Sequence, residues 1–267
     1  MSSKIYIPYL LERTNKLLSQ RLILKNIVLG NLKARYAGSL LGVLWAIINP
    51  LLVMAVISFV FTHVINIGVD NFPLFVLSAI LPWMSFSASI FDSALSITKS
   101  GNLLSQFTIA REILPIASVA ANFINLLFGL IIMLPVFILF KVNIMNFILL
   151  LPLVILLHFT FTVGIGLLLS CANVFFRDII HFLEVGLMFW FWMTPVFYSV
   201  DMVPARFRWI CLLNPMTSYI TMYRDILFEA RMPSVYLIII AVVMALIMLF
   251  IGYVVFLRNE ESFLKKI

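Results

Sequence analysis

Residues 173–200 read NVFFRDIIHFLEVGLMFWFWMTPVFYSV, and residues 201–230 continue DMVPARFRWICLLNPMTSYITMYRDILFEA. The stretch opens on a short polar patch, Asn173 to His181. An apolar run follows, crowded with Phe189, Trp190, Phe191 and Trp192, and Thr194-Pro195 interrupts it. Asp201 to Ala230 then mixes Pro, Arg and aromatic residues. It is too polar to cross a bilayer and too apolar for a free loop. Segments of this intermediate kind lie at the membrane interface or re-enter the membrane. Set before the last apolar run of the chain, it reads as a segment that shapes a pathway.

The rest of the chain agrees with a membrane setting. Its 267 residues are 64% hydrophobic and 11% charged, with a mean hydropathy of +1.15. Soluble domains are about 45–50% apolar and about 25% charged, so the chain is an all-α polytopic membrane protein. No linker and no internal repeat divides it, and residues 1–267 read as one transmembrane domain. The net charge of +7 fits topology signals and anionic headgroups rather than nucleic acid.

Residues 1–19 hold Lys4, Arg13 and Lys16 among Tyr6, Tyr9, Leu10, Leu17 and Leu18. They lack the pattern of a cleavable signal, so the N-terminus is expected to be retained. Residues 20–36 set Arg21, Lys25 and Lys33 on one helical stripe. Leu24, Ile27, Val28, Leu32 and Tyr36 fall on the other side. This is the pattern of an amphipathic helix in the headgroup plane, or of a solvated helix that precedes a span.

Six apolar spans are expected, at about 40–65, 73–97, 115–140, 146–171, 180–200 and 234–257. Each supplies the roughly 20 residues a bilayer crossing needs. In the first, Gly38 and Gly42 have the small-xxx-small spacing of helix packing, and Asn49-Pro50 bends the helix. Asp92 lies near the inner end of the second, solvated or paired with Lys99. His158, in the fourth, bonds across helices or serves a proton or substrate role. Between the second and third spans, Ser100-Gly101-Asn102 breaks the helix and a short amphipathic piece follows. It is either a connector on lipid or a docking helix for a soluble partner. Asn214-Pro215 matches an N-cap followed by proline in the first turn, with Tyr219, Ile220, Tyr223, Ile226 and Leu227 on one side of the helix it starts.

With an even number of spans, both termini share a side. Of the 18 Lys and Arg, only Lys141, Arg206, Arg208, Arg224 and Arg231 fall on the other side. Both termini are therefore expected in the cytoplasm and residues 201–232 outside. Cys171 and Cys211 then sit at opposite faces and stay unpaired. There is no P-loop, no HExxH and no CxxC, and no span has the repeated buried carboxylates of an ion-coupled carrier. Six spans without an energy source, plus a candidate docking helix, point to a permease driven by a separate ATPase.

Two stretches carry a family resemblance. LKARYAGSLLGVLWAIINPLL, near the N-terminus, and NVFFRDI, TPVFYS and LNPMTSYITMYRDIL, near the C-terminus, resemble the permease subunits of type-2 ABC exporters. The likeness is strongest to the branch that exports lipid-linked polysaccharides: O-antigen, capsule and teichoic acid. It covers essentially the whole chain. It implies a homodimer in the plasma (inner) membrane, with two copies of an ABC ATPase subunit that bind ATP and Mg, so that this chain holds no cofactor, metal or catalytic residue of its own. It implies an interface helix at 20–36, where Arg21, Lys25, Lys33 and Arg35 hold a lipid pyrophosphate or headgroups. It implies a coupling helix at 98–112, with Leu103, Leu104, Ser105, Gln106, Phe107, Arg111 and Glu112 against the ATPase. Gate helices at 201–230 would include Pro204, Arg208, Trp209, Asn214, Pro215, Tyr219 and Tyr223. The path between protomers would be lined by Trp45, Phe59, Phe189, Trp190, Phe191, Trp192 and Tyr198, and an undecaprenyl-linked glycan would enter from the cytoplasmic leaflet.

Three other readings stay open at this level. One is a permease of the same type for a drug or another lipid. The second is a membrane glycan polymerase or ligase, whose outward polar candidates would be Asp201, Arg206, Arg208, Arg224, Asp225 and Glu229. The third is a membrane scaffold without transport.

Overall fold

The protein is described by a computed structural model, which covers Arg13 and residues 15–64, 68–106, 109–139 and 147–266. Among these residues every regular element is helical. Five helices are long and apolar enough to cross a membrane.

Helix α1 (Arg21–Tyr36) is amphipathic, as its stripe predicts, but its apolar side does not wait for lipid. Leu24, Ile27, Val28 and Leu32 pack on Ala117 and Ala121. Helix α2 (Trp45–Phe59) runs on through a π-helical turn, Val60–Val64. The expected start at residue 40 is corrected: Gly38 and Gly42 lie ahead of the helix at φ 73° and 52°, with open space where a Cβ would be. They are there for the left-handed backbone of a turn, not for close approach of helices.

Helix α3 (Phe72–Lys99) is the mast of the fold. Asn71, at φ 53°, turns the chain into it, and Pro73 occupies the first turn, where no amide partner is lost. Val76, Ala79, Phe86, Ile90, Ala94 and Ile97 recur at helical spacing and are buried. Around α3 stand α2, helix α5 (Ile113–Leu139), helix α6 (Leu151–Phe175) and helix α7 (Ile179–Met193). A short helix α4 (Gly101–Gln106) fills the connection from α3 to α5. The expected docking helix over 98–112 is thus shorter, because Ser100 ends α3 and the chain restarts at Gly101.

Helix α7 has 15 residues, and the span expected to reach residue 200 stops at Met193. Pro195 cannot continue the ladder, so Thr194–Tyr198 is irregular. Helix α8 (Arg208–Leu213) leads to helix α9 (Pro215–Leu227), and the chain closes with helix α10 (Val235–Asn259) along α6. The depth of α9 can be read off α3. Its start is bonded to Trp190, whose ring meets Phe86 edge-on at 5.0 Å. Just past its end, Phe228 meets Phe75 at 5.5 Å. Those two positions on α3 are separated by about 16 Å at the helical rise. The α8–α9 turn therefore lies beside the middle of α3, and α9 runs from there toward the Phe72 end of α3.

Candidate functional site

Among the described residues, one side of the bundle is apolar and unpartnered. Helix α7 has no buried residue. Val185, Met188, Phe189 and Trp192 project outward at helical spacing, while Leu183, Leu187, Trp190 and Phe191 turn toward the core. Leu52, Val56 and Phe59 on α2 are exposed too. Between α2 and α7, over α3, lies a cavity of about 680 Å³ bordered by Trp83, Leu187 and Phe191, with Arg35, Asp92 and Glu184 as its polar wall. The aromatic set anticipated for the path is thereby divided. Trp45, Phe59, Phe189 and Trp192 are exposed. Phe191 packs on Trp83 and Phe197, and Trp190 donates its indole N–H to Asn214 at 2.7 Å. The half-buried Tyr198 donates to the carbonyl of Trp192 at 3.2 Å.

Asn214 organises the α8–α9 turn. Its Oδ1 accepts from Trp190 and from the amide of Met216, capping α9, and its Nδ2 donates to Thr194 Oγ1 at 2.9 Å. Pro215 follows in the first turn. The Tyr219 hydroxyl donates to the carbonyl of Ala241, and Tyr223 faces His158 at 3.4 Å. His158 is wholly buried among Phe86, Phe123 and Tyr219. Pro204 precedes the 3-10 turn Ala205–Phe207. Arg208 ties its guanidinium to the carbonyls of Asp201 and Val203, and Trp209 is exposed.

Arg224 is a residue the sequence reading set among outward charges. It is buried, lies over the Phe75 ring at 3.8 Å, and donates to the carbonyls of Pro195, Val196 and Tyr198. The signal for it is in the sequence: a proline break leaves carbonyls without helical donors, and a forked cation two helical pieces later supplies them.

At the end of the bundle where α4 and the chain's last residues meet, Arg13 donates to Glu112 at 3.3 Å and makes a short contact with Glu260. Arg111 reaches the carbonyl of Glu260. Glu112 is fully buried, and burial pushes its carboxyl above the ordinary value, with Arg13 opposing. Leu104 is buried, Leu103 and Gln106 are exposed, and Phe107 and the Ser105 side chain lie outside the described residues. On α1, Arg21, Lys25 and Lys33 are exposed. Arg35 differs from them. It pairs with Asp92 and with Asn122 Oδ1, and Asn122 also donates to Asp92. Asp92 thus pairs with Arg35, from a neighbouring helix, rather than with Lys99. The Tyr36 hydroxyl donates to Asn125 at 3.1 Å, and burial raises its pKa despite the nearby Arg35. Cys171 and Cys211 are both free and buried. Among the described residues, no group of three or more His, Cys, Asp or Glu comes together to hold a metal.

The profile of the family described as "ABC-2 type transporter" matches residues 24–228, from α1 through the end of α9. The chain belongs to the ABC-2 transporter membrane family. Among curated relatives of this ABC-2 protein, the O-antigen export system permease protein RfbA of Myxococcus xanthus is 32% identical over 261 residues, covering 97% of this chain and all of that one. A Klebsiella pneumoniae protein of the same name is 29% identical over 79% of this chain and 82% of its own. The polysialic acid transport protein KpsM of Escherichia coli is 21% identical over 92% of this chain and 96% of its own. The ABC-2 match takes in the exposed faces of α2 and α7 and the whole α8–α9 turn around Asn214.

Proposed function

We propose that this chain is the membrane permease of an ATP-driven exporter that moves a lipid-linked polysaccharide of O-antigen, capsule or teichoic-acid type out of the cytoplasm. The observation that carries the proposal is the end-to-end likeness to an O-antigen export permease, with 97% of one chain and 100% of the other aligned. The chain acts as a homodimer. The bare apolar faces of α2 and α7 support this, since a lone protomer would leave aromatic and polar groups of the α2–α7 cavity facing lipid. ATP and Mg are bound by two copies of a separate ABC ATPase.

The plasma membrane is crossed six times, with Ile179–Met193 and the irregular segment after it making the fifth crossing. Both termini are cytoplasmic, by the distribution of Lys and Arg. Residues 1–267 form one transmembrane domain. The α4 region, with Leu103, Leu104, Ser105, Gln106, Phe107, Arg111 and Glu112, transmits ATPase motion. The α8–α9 turn, from Pro204 to Tyr223, is the outer gate. The exposed Trp45, Phe59, Phe189 and Trp192 face the glycan, offering apolar surfaces along which C–H patches of sugars slide. Arg21, Lys25 and Lys33 attract the pyrophosphate of an undecaprenyl-linked glycan at the membrane surface.

Deleting the gene tests this reading. Surface polysaccharide is expected to vanish while lipid-linked glycan accumulates on the cytoplasmic side, with recovery when the gene is restored. Short surface glycan without internal accumulation would instead identify a polymerase, and full-length lipid-linked glycan left on the outer face a ligase.

A further inference from the structure

A second cavity lies between α1, α2, α3 and α5, and adjoins the α2–α7 cavity at Arg35, Met84 and Ala88. Its volume is about 390 Å³, and its wall carries Tyr36, Trp45, Asn49, Ser85, Asn122 and Asn125. Polar side chains between apolar helices are costly unless something meets them. Asn122 is met, by Arg35, Asp92 and the carbonyl of Ser118. Asn125 is met at one end only: its Oδ1 accepts from Tyr36, while its buried Nδ2 has no partner. Trp45 and Asn49 are four residues apart on α2, so both come to the same side of the helix. Both are exposed.

Charge decides the class of ligand. Arg35 borders the cavity, but its guanidinium is matched by Asp92. The remaining polar wall is neutral: amides, a phenol, a hydroxyl and an indole. An anion site needs an uncompensated cation. Amides that both donate and accept, beside an aromatic face, suit instead a ring of hydroxyls with an apolar C–H side.

We infer that this cavity is a subsite for one neutral sugar unit, held by Asn125 and Asn49 with its C–H face on Trp45. The identification of the sugar with a unit of the exported glycan rests on the proposed function; the chemistry of the cavity does not. The subsite holds a sugar beside the path proposed between protomers, and the exposed Trp45 borders both.

The test uses the full chain in lipid nanodiscs, so that no sugar-headed detergent competes. Saturation-transfer NMR is recorded with methyl α-mannopyranoside and methyl N-acetyl-β-glucosaminide as probes, and inorganic phosphate and glycerol 3-phosphate as competitors. The ring protons of at least one glycoside are expected to show transfer. Asn125→Leu and Trp45→Ala should each weaken binding by about tenfold, the worth of one lost polar or stacking contact. Phosphate should not displace the sugar. Asn125→Gln, with the same donor and acceptor groups, reports on folding and should retain part of the signal. Transfer that is absent, that survives both variants unchanged, or that phosphate displaces overturns the subsite. The two readings fail separately. Glycan export by a chain that binds no glycoside removes the subsite and leaves the exporter. Glycoside binding by a chain that no ATPase joins removes the exporter and leaves the subsite.

Discussion

Gly252 of α10 rests directly on the backbone of Gly164 of α6: a Cβ on Gly252 would stand 2.1 Å from the Gly164 carbonyl oxygen. In the other direction, a Cβ on Gly164 would stand 2.4 Å from the carbonyl carbon of Met248. Both obstacles are backbone, so no side chain can rotate away. The two helices must separate to admit a methyl group. Gly252→Ala and Gly164→Ala are each expected to destabilise the protein by about 3 kcal/mol, the upper end for overpacking. Gly30→Ala, which meets nothing within 4 Å on α1, should gain up to about 1 kcal/mol from helix propensity. Thermal unfolding in detergent compares the three.

Arg224 is predicted to be irreplaceable by lysine. Its guanidinium serves the carbonyls of Pro195, Val196 and Tyr198 at once and covers the Phe75 ring. An ammonium group on a single stem cannot fork to the same acceptors. Leaving two carbonyls unmet should cost about 2–4 kcal/mol, and the α9 end should loosen. Proteolysis near residues 194–200 and loss of export in Arg224→Lys would show this. Native resistance and full export in that variant would refute it.

Much of the bundle is legible in sequence because its logic is local. The α3, α5, α6 and α10 runs are long and apolar, and Asn214-Pro215 announces a cap that the structure forms. The misreadings arise where one pattern serves two purposes. Gly38 and Gly42 have a packing spacing but serve a turn. The run through Val196–Tyr198 is apolar enough to extend a span, yet Pro195 ends the helix before it. Four consecutive aromatics at 189–192 cannot share one face, since neighbours on a helix point about 100° apart. Trp190 and Phe191 therefore turn inward. The partners of Glu112 and Arg35 come from distant segments, 99 residues away in the case of Arg13 and Glu112, and no local pattern reveals them.

Stability should respond to pH through Glu112. Burial raises its pKa above the ordinary value, with Arg13 and Lys16 opposing and Glu260 reinforcing. The folded state therefore holds the proton more tightly than the unfolded chain. Its stabilising contribution is complete below the unfolded value, about 4.3, and is lost as pH rises through the raised folded value. Glu112→Gln removes this titration. Its unfolding temperature should lack the downward slope that the wild-type shows across that window. Equal slopes in both proteins would rule out Glu112 as the source.

The bare face of α7 should be covered by a second copy. Met188→Arg places a charge in the middle of the surface formed with Val185, Phe189 and Trp192. An unpaired charge buried there should prevent association, since breaking such a fit costs several kcal/mol. Native mass spectrometry of the variant is expected to show monomers where the wild-type shows dimers. Persistence of the dimer would move the interface to another face.

The most direct test of the account is to purify the chain with the ABC ATPase encoded beside it and measure particle mass and ATP hydrolysis, with Arg111→Glu as the probe of coupling. The account predicts a particle of two permeases and two ATPases whose hydrolysis rate changes on assembly, and a change that Arg111→Glu diminishes. A chain that associates with no ATPase, and alters no ATPase activity, would contradict it.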